Sequence, residues 1–341
     1  MSIKRDYSPA AKWQAANPAD LGMDAARLTG LDSLIKSEFS NINGVAVVRH
    51  GYIAYESYYN GRDPEEPLHI ASVTKSILSA LIGIAIDTGY IESTNQKVLD
   101  FFPEYVPGAA DQQQNITIRH LLTMSAPYPF DDWQEPLDKM CMQIDWVKYI
   151  LDLLGHGGKI GAFKYSTAST HLLSAILTRS TGLSAREFAN EQLFKPIGMK
   201  EIPDYGMESF GFDDLFGHKV KGWVEDPNRI STGGWGLTLT ARDMARFGLL
   251  YLNRGRWDNK QVISGTWIDE STAMTPYSYG YLWWLREDDG IYTYSALGDG
   301  GNVLCCIPDR DLAIAITSDF ILNPCDRWPL IKEHIIPAVM A

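Results

Sequence analysis

No stretch of the 341-residue chain approaches eighteen unbroken apolar residues, the length a helix needs to cross a bilayer. The most apolar segment, residues 78–86, is far too short to do so. The N-terminus, MSIKRDYSPAAKWQ, has neither an apolar core nor a small-residue cleavage site, so no secretory signal is expected. Cysteine is scarce: Cys141, Cys305, Cys306 and Cys325 are irregularly placed, form no disulfide framework, and would stay reduced in a cytoplasmic protein. There is no H-E-x-x-H and no paired C-x-x-C. The seven histidines (His50, His69, His120, His156, His171, His218, His334) are scattered, so no metal or other cofactor is expected. No block of Lys and Arg occurs, and 30 basic against 42 acidic residues give a net charge of -12. That balance argues against a wide phosphate-binding face, and neither nucleic acid nor membrane is an expected partner. The absence of a G-x-S-x-G elbow argues against an α/β-hydrolase. The glycine-rich "GHGGKIG" at 155–161 lacks Walker A spacing, and no Ser or Thr follows its lysine.

What is present is ordinary for a globular protein: 45% hydrophobic and 21% charged residues. There is no internal repeat and no low-complexity linker. The length is enough for one large domain, 1–341, with its own core. Residues 24–39 carry Leu28, Leu31, Leu34, Ile35 and Phe39 at helical spacing. "GVAVVRHGYIAYESYY" reads as two strands broken at His50-Gly51, a hairpin. Helical patterns follow at 168–181 and 184–194. Thr240 with Asp243 three residues on resembles a capping box at the head of another helix. The runs "YGYLWWLRE", "GIYTYSAL", "NVLCCIPD" and "DLAIAITSDF" read as strands, and 329–339 as a final helix. Strands at both ends with helices between suggest one sheet built from the two termini, 1–100 and 231–341, with a mainly helical lobe at 101–230 inserted. Cys305 and Cys306, adjacent in a strand, should face opposite sides of it.

One spacing raises a question of chemistry. In "LHIASVTKSILSALIGIAIDTG", Ser72 and Lys75 are three apart at the head of a helix that is apolar nearly all round and therefore belongs in the core. The first helical turn also offers unpaired N–H groups and a positive dipole end. A buried lysine there is pushed toward its neutral form and can take a proton from the serine. The alternative is a capping serine and a lysine that reaches solvent, and this segment by itself leaves both readings open. The same S-x-x-K pattern in "SLIK", Ser33 and Lys36, lies opposite an apolar stripe and reads as a solvated face.

Two further pieces are unremarkable singly: "YST" at Tyr165 before an apolar helix, and "YSALGDGGNVLCCIPD", a strand, a glycine-rich turn and a second strand. Together with "SVTK" they resemble, in order and spacing, the three motifs of the serine β-lactamase and penicillin-binding-protein superfamily, and in particular its class-C-like branch of EstB-type esterases and 6-aminohexanoate-dimer hydrolases. "TIRHLLTMSA" and "GGWGLTLTARDMARFG" are similar to two other stretches of that family, and the likeness runs from about residue 44 to about residue 320.

The resemblance implies an α/β (α+β) fold of the β-lactamase/transpeptidase type, a mainly antiparallel sheet flanked by helices, and a serine hydrolase. Ser72 would be the nucleophile, Lys75 and Tyr165 the proton-handling pair, and the backbone N–H groups of Ser72 and Asp299 the oxyanion hole. Thr167, Ala296, Leu297 and Gly298 would contact substrate. The departures bear on specificity. Ala296 and Leu297 stand where penicillin-processing members have side chains that hold a substrate carboxylate, and neither can donate a hydrogen bond. The expected substrates are therefore carboxylic esters or small amides, with weak β-lactamase or D-alanyl carboxypeptidase activity. A non-catalytic binding protein of the same fold is the rival expectation. Tyr128, Phe130, Trp133, Trp223, Trp235, Trp283 and Trp284 are candidates to wall an apolar pocket, Trp235 foremost. His120 reads as a structural hydrogen-bonding residue.

Overall fold

A computed structural model describes residues 12–132, 136–207 and 219–340, together with Pro9, Ser209, Asp213 and Gly217. Trp133 and His218 lie outside the described residues.

Helix α1 (Ala25–Glu38) starts at Asp24, whose carboxylate accepts the N–H groups of Ala26 and Arg27. Its stripe Leu28, Leu31 and Ile35 is buried, while Ser33 and Lys36 face solvent as their position on the helix requires. Strands β1 (Ile42–Arg49) and β2 (Tyr52–Tyr58) form the expected hairpin. Its turn residues His50 (φ 52°) and Gly51 (φ 86°) are both left-handed, the conformation a two-residue hairpin turn favours. The other long strands come from the far end of the chain: β3 (Trp284–Asp288), β4 (Ile291–Gly298), β5 (Asn302–Ile307) and β6 (Leu312–Ser318). Together they make one antiparallel sheet in the order β2-β1-β6-β5-β4-β3.

Each face of the sheet has its own core. Cys306 packs into the larger one with α2 (Val73–Asp87), α3 (Thr167–Thr181) and α4 (Ala241–Leu252); Cys305 packs into the smaller one, against α1 and the C-terminal turns. Helix α2 is buried on every side from Val73 to Ala85, wedged between the sheet and α3. At the head of α4, Thr240 Oγ1 accepts the Asp243 N–H and the Asp243 carboxylate accepts the Thr240 N–H, closing the capping box. Among the described residues, no helix is long and apolar enough to cross a membrane.

One element differs from the sequence reading. Only the second half of "YGYLWWLRE" is strand. Leu282 takes a left-handed φ of 61° and its carbonyl accepts from Ser76 Oγ of α2, which holds the chain out of the ladder until Trp284. The expected last helix does form, wound wide over Leu330–Ile335 and tight over Ile336–Ala338.

Candidate active site

The two-residue strand Leu68–His69 pairs with Thr238–Leu239 and fixes the chain where it enters α2. Ala71 then adopts φ 49°, a strained region for a residue with a Cβ, and Ser72 follows immediately before the helix. Ser72 Oγ makes no capping bond to the helix N–H groups, so the capping reading of this serine does not hold.

Lys75 does not reach solvent either. It is 2% exposed, and its Nζ donates to three oxygens: Ser72 Oγ at 3.0 Å, Thr167 Oγ1 at 3.1 Å and the Gly234 carbonyl at 2.9 Å. The Tyr165 ring lies under the same nitrogen, 4.9 Å from Nζ to its centroid. Tyr165 thus presents its π face to Lys75, and among the described residues no hydrogen bond joins its hydroxyl to Ser72 or Lys75. The ring belongs to the same cluster through the amine. Behind Thr167 stands Asp132, which accepts both the Thr167 N–H and the Thr167 hydroxyl, the latter at 2.7 Å.

The other wall of the site is the end of β4. A Cβ placed on Gly298 would lie 2.3 Å from the Ile70 carbonyl and 3.2 Å from Ala71 Cβ, so glycine here permits close backbone approach to the residues just before Ser72. Asp299 follows at once, half-buried, and burial raises its carboxyl pKa against the pull of nearby Lys75.

His69 ties two of these segments together. The Ala71 N–H points at Nδ1 (3.2 Å) and the Gly236 N–H at Nε2 (3.1 Å). Burial pushes its pKa down to about 3. The imidazole therefore stays neutral in the folded chain while the unfolded chain takes up a proton near the ordinary value of 6.5. Folding stability is expected to fall as the pH drops from about 6.5 toward about 3, by at most roughly 5 kcal/mol over that span. Denaturant unfolding between pH 4 and 7 checks this: His69→Gln should flatten the slope, and an unchanged slope counts against it.

Several expected contacts fall elsewhere. Thr167 is turned inward, with its hydroxyl shared between Lys75 and Asp132, so it supports the lysine rather than meeting substrate. Trp235 is 2% exposed and stacked on Trp146 (5.8 Å, 17°) because the glycines on either side fold the loop into the core; it walls no pocket. Tyr128, Trp223 and Trp283 are likewise fully buried. Ala296, 1% exposed, points into the larger core, since alternation along β4 sends it to the face opposite Leu297. Leu297, 38% exposed, lines a groove of about 380 Å³ together with Trp284. Phe130, half-buried, stacks on Tyr128. His120 is structural: its Nδ1 accepts the Thr117 N–H at 3.0 Å.

The aromatic wall that does form is largely one the sequence reading missed. Tyr165 stacks on Trp284 (5.7 Å, 23°) and meets Tyr279 edge-on, while Phe163 stacks on Tyr277 and touches both Tyr279 and Trp284. Tyr279 is fully buried, and burial raises its pKa far above the ordinary value. Among the described residues, Trp284 is the one candidate aromatic that belongs to this wall. Asp132 and Gly234 were also missed. The adjacent glycines 233 and 234 were a signal for a close approach; a Cβ on Gly234 would sit 3.2 Å from Lys75 Nζ. A hydroxyl bonded to a buried amine, beside a closely packed backbone turn, is an arrangement suited to an activated serine nucleophile.

Known proteins share this architecture. A family model described as Beta-lactamase matches residues 34–321. The 6-aminohexanoate-dimer hydrolase of Paenarthrobacter ureafaciens is 23% identical over 342 residues, covering 92% of this chain and 81% of that protein. Among solved structures, EstCE1, described as a hydrolase with promiscuous acyltransferase activity, superposes with a TM-score of 0.70 at 17% identity, over 95% of this chain and 99% of its own. A class C beta lactamase from Rhodobacter sphaeroides does so with a TM-score of 0.67 at 16% identity, over 93% and 100%.

Proposed function

We propose, from the premise that this chain belongs to the beta-lactamase family, that it is a serine hydrolase acting through an acyl-enzyme on carboxylic esters or small amides. The observation that carries the reading is Lys75 Nζ, buried and held 3.0 Å from Ser72 Oγ by two other acceptors. Ser72 attacks the substrate carbonyl carbon as its proton passes to the Lys75–Tyr165 pair, which later returns a proton to the leaving group. The N–H groups of Ser72 and Asp299 receive the developing oxyanion, and water releases the acid. One of the related proteins bears a name that speaks of hydrolysing a dimer of an amino acid, and another is described as a hydrolase with acyltransferase activity; both fit acyl transfer from an ester or amide.

Specificity follows from the third motif. Neither Ala296 nor Leu297 can hold a substrate carboxylate, and one such charge-assisted bond contributes roughly 1.5–3 kcal/mol. The experiment is labelling by a fluorophosphonate probe, followed by turnover of p-nitrophenyl acetate, longer esters, small amides, nitrocefin and a D-Ala-D-Ala peptide. Wild-type protein should label, Ser72→Ala should not, and esters should exceed nitrocefin by at least about tenfold in kcat/KM. Equal labelling of both proteins would sink the nucleophile; comparable turnover of nitrocefin and acetate ester would sink the preference.

A further inference from the structure

The geometry points to Asp132 as the positioning residue that decides which hydroxyl can pass a proton to Lys75, an inference that rests on Ser72 being the nucleophile. Asp132 is 8% exposed. Its Oδ1 accepts the Thr167 backbone N–H and its Oδ2 the Thr167 hydroxyl at 2.7 Å. A carboxylate can only accept, so the Thr167 hydroxyl hydrogen is committed to Asp132 and only its lone pairs face Lys75 Nζ at 3.1 Å. The Gly234 carbonyl, 2.9 Å from the same nitrogen, also has no hydrogen to give. Tyr165 offers Nζ its ring face.

A neutral Lys75 has two N–H bonds and one lone pair. The two N–H groups go to Thr167 Oγ1 and Gly234 O, and the lone pair is left for Ser72, the one partner of the three with a hydrogen free to donate. In the chemical step the Ser72 O–H bond breaks, its proton forms the third N–H bond of Lys75, and the oxygen electron pair attacks the carbonyl carbon, whose π pair moves to the carbonyl oxygen. The resulting ammonium has three donors for three oxygens already in place.

Removing the charge reverses the polarity at Thr167. In Asp132→Asn the Thr167 backbone N–H still requires an acceptor, which fixes the amide oxygen at the Oδ1 position and turns the NH2 toward Thr167 Oγ1. The threonine hydroxyl, deprived of its acceptor, swings to Lys75 and occupies the lone pair meant for Ser72.

The test measures fluorophosphonate labelling rates and steady-state hydrolysis of p-nitrophenyl butyrate for wild type, Asp132→Asn, Thr167→Val and the double variant, each with its melting temperature. Asp132→Asn should slow labelling about ten- to a hundredfold and lower kcat with KM within about twofold. Deleting the competing hydroxyl should rescue it: the double variant should label faster than Asp132→Asn and within about threefold of Thr167→Val. A purely structural role gives no rescue by a second truncation. Wild-type labelling by Asp132→Asn, or a double variant no faster than Asp132→Asn, overturns the proposal. Should Asp132→Asn not fold, a gap of tenfold or more between Thr167→Val and the double variant overturns it, and equal rates uphold it. Failure of wild type itself to label would instead remove the serine-hydrolase reading.

Discussion

Lys75→Met is expected to lower kcat for p-nitrophenyl acetate by about a thousandfold or more while leaving a folded protein. The size follows from what the amine does. Proton transfer by a positioned group contributes about a hundred- to ten-thousandfold, and members of a catalytic unit fail together when one is lost. Methionine keeps the volume of the side chain in a site that is only 2% exposed, so no large cavity opens. The Gly234 carbonyl and Thr167 Oγ1 lose a donor, at a cost of about 1–3 kcal/mol each, offset in part because no amine is buried. Fluorophosphonate labelling, kcat and a melting curve measured together test this. A variant that melts normally and keeps a tenth of wild-type turnover would show that Lys75 is not the group that handles the proton.

Gly298→Ala should rank next. Gly298 has φ -133°, extended backbone open to any residue, so the substitution costs nothing in backbone conformation. Space is the constraint. The added methyl would stand 2.3 Å from the Ile70 carbonyl oxygen, a backbone atom that cannot rotate away. Either the end of β4 or the left-handed turn at Ala71 must shift, and both movements change the spacing between the Ser72 and Asp299 N–H groups. Misplacing one oxyanion donor lowers turnover about a hundred- to a thousandfold. The same overpacking should cost about 1–3 kcal/mol of stability. A protein with normal kcat and an unchanged melting temperature would mean that the strand end is not held against the nucleophile turn.

The fold was legible where a local period ran unbroken. The Leu28–Leu31–Ile35 stripe, the His50-Gly51 turn and the Thr240–Asp243 box each encode their element within a few residues. The reading failed where a remote partner overrode the local pattern. The strand-like "YGYL" stays out of the sheet because the Leu282 carbonyl accepts from Ser76, 206 positions away in sequence. The aromatic candidates failed for a related reason. Proximity to a motif in sequence does not reveal which face a ring takes, so Trp235 went to the core, while Phe163, Tyr277 and Tyr279 formed a wall beside Tyr165.

The sequence alone determined that Ser72 and Lys75 share one face at the start of a buried helix, because three residues of helix bring two side chains together whatever surrounds them. It also determined that neither Ala296 nor Leu297 can donate a side-chain hydrogen bond, because side-chain chemistry is written in the residue itself. Only the tertiary structure decided which three oxygens surround Lys75 Nζ, that Thr167 backs the lysine, and that Asp132 backs Thr167. Those partners come from positions 75, 132, 167 and 234, and hydrogen bonds between them depend on distances that no spacing along the chain encodes.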